Sequence, residues 1–152
     1  MIPCAIDPAR PGDAEPLARI LGDWIRGAGW IPVLHDRAED LAFLCRMIAS
    51  HRVLVARDPM GPQPLALGFI AVKQGDIAGF YVAEASRGRG IGKALLAAVK
   101  EREPRLALWT FQANTGAISF YSREGFVEVE RTDGAGNEER LPDVRMIWRR
   151  EA

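Results

Sequence analysis

A chain of 152 residues, 48% hydrophobic and 26% charged, has the length and composition of one domain with its own core. Its 20 basic and 20 acidic side chains cancel, so no bulk charge draws it to nucleic acid or to an anionic membrane. No apolar stretch approaches the roughly 20 residues that cross a bilayer, and residues 1–8 lack the basic-then-apolar order of a secretory signal; a cytoplasmic location is expected.

Residues 13–26 place Leu17, Ile20, Leu21, Trp24 and Ile25 on one helical face, with Asp13 as N-cap and Gly27-Ala28-Gly29 as the stop. Pro32 biases residues 30–35 toward a loop. Asp36 or Asp40 opens a second helix with Leu41, Leu44, Cys45 and Ile48 inward. Residues 53–57, 65–73 and 77–82 read as three strands of a meander, joined by a turn over 58–64 and by Gln74-Gly75-Asp76. A helix over 92–102 buries Leu95, Leu96 and Val99, turns Lys100, Glu101 and Arg102 to solvent, and stops at Pro104. Residues 106–111 form a strand, 114–125 carry a short helix, and 126–131 and 144–148 are alternating strands around a looped acidic stretch. The strand over 126–131 should be half-buried through Val127 and Val129, and Arg145, Arg149 and Arg150 should lie on a solvated strand edge. The order is two helices, three strands, helix, strand, helix, two strands, and residues 1–152 read as one α/β domain. Cys4 and Cys45 are expected as reduced thiols, Cys45 in the core, and two cysteines with two histidines lack the spacing of a metal site.

The most informative segment is Ser86-Arg87-Gly88-Arg89-Gly90-Ile91-Gly92-Lys93, which joins a strand to a helix. Glycines at such a turn let an anion approach outward-pointing amides, and the helix dipole adds positive charge. Spacing excludes two phosphate loops. Arg87 stands where a Walker loop needs its first glycine, and Ala94 replaces its hydroxyl. Lys93 and Leu95 stand where a dinucleotide fingerprint needs its third glycine. Downstream, the strand over 106–111 leads into Asn114, a helix bearing Phe120-Tyr121, and Gly125-Phe126.

Arg87-x-x-Gly90-x-Gly92, together with the Asn114 to Phe126 segment, resembles the signature of the GNAT superfamily of acyl-CoA-dependent N-acetyltransferases. The resemblance is close over residues 77–129 and holds in outline elsewhere. Glu84-Ala85 departs from the Pro-Glu often found before the turn. The resemblance implies a mixed, mostly antiparallel sheet of about six to seven strands flanked by about four helices, with acetyl-CoA as cosubstrate and no metal. It implies that Arg87, Gly88, Arg89, Gly90, Ile91, Gly92 and Lys93 receive the diphosphate. It also implies that the Phe80-Tyr81-Val82 backbone holds the pantetheine arm, splaying from the next strand.

Gly79 is open to two readings, a bulge beside that backbone or simple relief of crowding. On residues alone, Tyr121 is either a packed ring or a proton donor; the resemblance makes it the acid that protonates the departing thiolate. Asn114 is a cofactor contact, an N-cap or both, and Phe120 a packing residue beneath the cofactor. The resemblance puts His35 in a loop bordering the acceptor pocket, and Glu138, with Glu139 and Asp143, in the late loop on another rim. These are the candidates for acceptor contact and for the base that takes the amine's proton. The acceptor is then an amine on a small molecule or a protein, with neither nucleic acid nor membrane as partner and a homodimer left open. The competing function is a CoA-binding sensor or interaction module without transferase activity.

Overall fold

The computed structural model describes residues 4–60 and 65–151. Among these, seven strands and four helices follow in the order β1 (Ala5–Pro8), α1 (Ala14–Ala28), α2 (Arg37–Ser50), β2 (Arg52–Asp58), β3 (Leu65–Lys73), β4 (Asp76–Val82), α3 (Ile91–Lys100), β5 (Arg105–Phe111), α4 (Thr115–Arg123), β6 (Val127–Thr132) and β7 (Asp143–Arg149). They build one sheet, β1-β2-β3-β4-β5-β7-β6, antiparallel at every pairing except β4 with β5. The expected mixed, mostly antiparallel α/β sheet is therefore present. β1 is an addition to the expected order. It has four residues and ends in proline, which an edge strand tolerates, so neither length nor alternation announces it. Part of the turn read over 58–64 falls at 61–64, outside the described residues.

β2 and β3 are buried on both faces, which is why they read as near-continuous apolar runs. Leu54, Ala56, Ile70 and Val72 pack with Leu95, Leu96 and Val99 of α3. Val53, Val55, Phe69 and Ala71 pack with Leu17 of α1 and Leu44 and Met47 of α2. The β3–β4 hairpin closes with Gln74 at φ 52° and Gly75 at φ 81°, the left-handed pair that a two-residue turn requires.

Several local expectations need correction. Asp13 does not cap α1 with its side chain; its carboxylate takes Arg57 Nη2 at 2.7 Å and the Arg10 amide at 2.7 Å. α2 starts at Asp36, whose Oδ1 accepts the Glu39 amide at 2.8 Å while Glu39 reaches back to the Asp36 amide at 3.1 Å. Asp40 is buried instead, paired with Arg26 at 3.1 Å in space that Gly22 leaves open. That pairing sets the rotation of α2, so its inward stripe is Asp40, Leu44 and Met47, and Cys45 is exposed rather than in the core.

β6 is not half-buried. As the last strand of the sheet it exposes both Val127 and Val129. Lys100 does not simply face solvent; its Nζ donates to the Glu124 carbonyl at 2.6 Å and sits 5.0 Å over the Trp148 ring. Nor is the basic end merely solvated. Arg145 pairs with Asp76 at 2.7 Å, and Arg150 donates to the Lys100 and Glu101 carbonyls at the end of α3.

Candidate active site

The sheet opens where its one parallel pairing fails. β4 and β5 share a single register pair, Asp76 opposite Ala107, with the Ala107 amide donating to the Gly75 carbonyl at 2.8 Å. Beyond it lies a cleft of about 690 Å³, walled by Ile77–Val82 on one side and Leu108–Phe111 on the other. A bulge helps to turn β4 away. Its register with β3 passes from Ala71–Gly79 to Val72–Ile77, leaving Ala78 without a partner. A Cβ on Gly79 would lie 3.4 Å from Met47 Sδ and from the Phe69 ring, so this glycine flanks the bulge and also seats α2 closely. Past the bulge, the Ala83 amide donates to Leu67 O at 2.8 Å. Strand alternation then turns the peptide groups of Phe80 and Val82 away from β3 and into the cleft.

One end of the cleft is the glycine turn. Gly88 and Gly90 hold φ of 76° and 82°, and nothing lies within 4 Å of a Cβ built on either. Ile91, 1% exposed, pins the first turn of α3 into the core. The first intrahelical bond runs from the Ala94 amide to Gly90 O, and no side chain caps the helix. The Ile91, Gly92 and Lys93 amides are therefore free donors, with no acidic residue in the first turn to compete. Arg87 and Lys93 line the cleft, Arg87 bonding the Val82 carbonyl through Nε at 3.2 Å; Arg89 does not line it. Beneath the turn, Phe80, Val82 and Phe120 lie within 3.8 Å of a Cβ built on Gly92, an apolar floor under a polar rim.

Tyr121 stands midway. Its ring packs against Phe126, Phe120 and Phe80 at 5.4, 5.5 and 6.1 Å, and it lines the cleft from α4. Burial, and then the neighbouring Tyr81, raise its phenol well above the ordinary value near 10. Asn114 caps α4 by accepting the Ala117 amide at 3.2 Å and lines the cleft as well, so both of its readings coexist.

The far end is lined by side chains from four elements. Trp24 of α1, Tyr81 of β4 and Phe111 of β5 face it, with Trp30 edge-on behind Trp24 at 6.0 Å and Phe111 at 5.7 Å. The β6–β7 loop adds Asn137, Glu139 and Asp143. Burial, then the charge of Glu139, push the Tyr81 phenol up to about 12. His35 and Glu138 lie outside this cleft and meet each other at 2.6 Å, with Glu39 on the other ring nitrogen at 3.3 Å. His35 donates to the carboxylates of Glu39 and Glu138, which raises its pKa and favours its cation. Among the described residues no cluster of His, Cys, Asp and Glu has the form of a metal site, and no helix is long and apolar enough to cross a membrane.

Residues 49–128 match the family profile of the acetyltransferase (GNAT) domain. The chain belongs to the GNAT acetyltransferase family. Within this family it is 42% identical over 84 residues to the peptidyl-lysine N-acetyltransferase YiaC of Escherichia coli, a match covering 54% of this chain and 56% of that protein. The chain thus spans about half the length of this curated relative. Its fold is that of YjaB from Escherichia coli (TM-score 0.77, 18% identity, 96% of this chain and 97% of that one). It is equally that of YncA from Salmonella typhimurium, solved with its cofactor acetyl-CoA (TM-score 0.73, 17% identity, 99% and 95%).

The residues fit the acetyl-CoA that GNAT membership implies: unclaimed amides and basic groups at the turn, a mainly apolar cleft, and outward peptide groups on β4. Sequence reasoning overlooked Trp24 and Phe111 as cleft residues and preferred Glu138 to Glu139. Trp24 shares its helical face with core leucines. Which of two adjacent loop glutamates turns inward depends on a loop conformation that no periodicity encodes.

Proposed function

We propose that this protein moves an acetyl group from acetyl-CoA to a primary amine by direct attack within a ternary complex, with residues 1–152 working as one domain in the cytoplasm. The observation that carries this reading is the lone β4–β5 register pair. It opens a slot from the glycine turn, past Tyr121, to the acidic and aromatic end.

When bound, acetyl-CoA supplies an acyl thioester with thiolate as its leaving group. The chain does the rest. Free amides at residues 91–93 and the side chains of Arg87 and Lys93 receive the diphosphate. The outward amides of Phe80 and Val82 bond the arm and the developing oxyanion, worth about 3 kcal/mol of barrier for one well-aimed donor. Tyr121 holds a proton at Oη for the sulfur, and the proton that the attacking amine sheds to solvent balances the one delivered and restores the phenol. Burial raises the phenol, so the tyrosine keeps its proton until the thiolate leaves. The acidic far end favours a cationic amine, and the peptidyl-lysine specificity named for YiaC supports a lysyl acceptor on a peptide or protein.

Thiol release from acetyl-CoA, measured with lysyl peptides and with small amines, tests the reading. Amine-dependent release that depends on Tyr121 supports it. Acetyl-CoA binding without turnover on any amine would favour the sensor or interaction module.

A further inference from the structure

The β6–β7 loop that closes the far end of the cleft is rigidly built. Asn137 Nδ2 donates to the Leu141 carbonyl at 2.7 Å, and the Leu141 amide returns to Asn137 Oδ1 at 3.2 Å. Gly134, at φ 86°, lies so close to the Leu141 backbone that no Cβ fits. Asp143 is consumed by the loop itself, its carboxylate taking the Thr132 hydroxyl and Asn137 Nδ2. Glu138 points outward to His35, a strut to the start of α2. Glu139 takes part in none of these bonds among the described residues and is the loop's unspent carboxylate in the cleft.

Trp24, Tyr81 and Phe111 line the same cleft, with the Trp24 and Tyr81 rings 5.2 Å apart and Tyr81 near enough to feel the charge of Glu139. Aromatic faces attract cations, and an ammonium among them carries its alkyl stem against apolar carbon. The basic groups around Glu139 are placed or paired elsewhere. Arg26 and His35, which share a small adjoining cavity with Glu139, pair with Asp40 and with Glu39 and Glu138, respectively. Arg87 and Lys93 stand at the glycine turn and Arg123 at the end of α4.

We infer that Glu139, with Trp24, Tyr81 and Phe111, forms a subsite for the acceptor's ammonium group and selects amines on a bare alkyl stem over acceptors with a carboxylate nearby. This deepens the transferase reading and rests on it for the word acceptor. Glu139 fixes charge, the rings fix the stem, and the second carboxylate at Asp143 repels anionic acceptors.

The test is calorimetric binding to the CoA-saturated protein of two blocked Gly-X-Gly tripeptides, X being lysine or its uncharged isostere 6-hydroxynorleucine. Wild type is expected to prefer the lysyl peptide at least tenfold. Glu139→Gln should erase that preference while keeping its CoA affinity, and Glu139→Asp should restore part of it. Equal binding of the two peptides by wild type, or an undiminished preference in Glu139→Gln, would overturn the subsite. The two readings fail separately. Preference that depends on Glu139 without any acetyl transfer would sink the transferase and leave the subsite; transfer with a preference blind to Glu139 would do the reverse.

Discussion

At the turn end of the cleft the groups that hold a ligand are main-chain amides set by Gly88, Gly90 and the start of α3, whereas at the far end they are side chains from α1, β4, β5 and the β6–β7 loop. Amides are present whatever the side chains are, so the turn end needs only the right backbone path. The far end can be remade by single substitutions without touching the sheet. A fold divided in this way keeps one cosubstrate and lets its acceptor change, which is why shared architecture speaks to the first and not to the second.

The sharpest way to break this division is at its midpoint. Tyr121→Phe should lower kcat by about 10²–10³-fold with acetyl-CoA affinity unchanged within a few-fold, because the ring still packs on Phe80, Phe120 and Phe126. Steady-state kinetics beside calorimetry would show it. A change remote from both ends should touch stability alone. Arg57→Ala strands Asp13, and chemical denaturation should read a loss of about 3 kcal/mol. Arg57 holds the Asp13 pKa below its ordinary value, so this stability is complete above about pH 4 and is lost as pH falls through the lowered folded value. Asp13→Asn should flatten that acid limb.

At the turn, Gly90→Val forces a β-branched residue to φ 82°, and the acetyl-CoA Kd should rise about tenfold or more while lysyl peptide binding holds. The smallest effect belongs to the His35 strut. Its raised pKa makes the extra anchoring complete below about pH 6.5 and lost as pH rises through the folded value. The acceptor KM should therefore drift upward on the alkaline side in wild type and stay flat in His35→Ala.

The same division explains what could be read before the structure. Strand, glycine turn, helix, strand and Asn114 to Phe126 lie in one continuous stretch, so both motifs, the central strands and α3 were legible from spacing and apolar runs. What escaped depends on contacts distant in sequence. β1 is a strand only because Ala5–Pro8 pairs with β2. The rotation of α2 is set by Asp40 against Arg26, which hid the exposure of Cys45. Val127 and Val129 alternate as a half-buried strand would, yet β6 ends the sheet and leaves them in solvent. Glu139, from a loop, lines the cleft together with Trp24, from a helix more than a hundred residues earlier.

Amide chemical shifts of the ¹⁵N-labelled protein during titration with acetyl-CoA test the central claim most directly. The largest changes should fall on residues 88–93 and on Phe80 and Val82, with the Tyr121 amide perturbed by acetyl-CoA and less by CoA alone. Saturable binding whose shifts gather on α1, α2 and β6, leaving the turn and β4 still, would contradict the account.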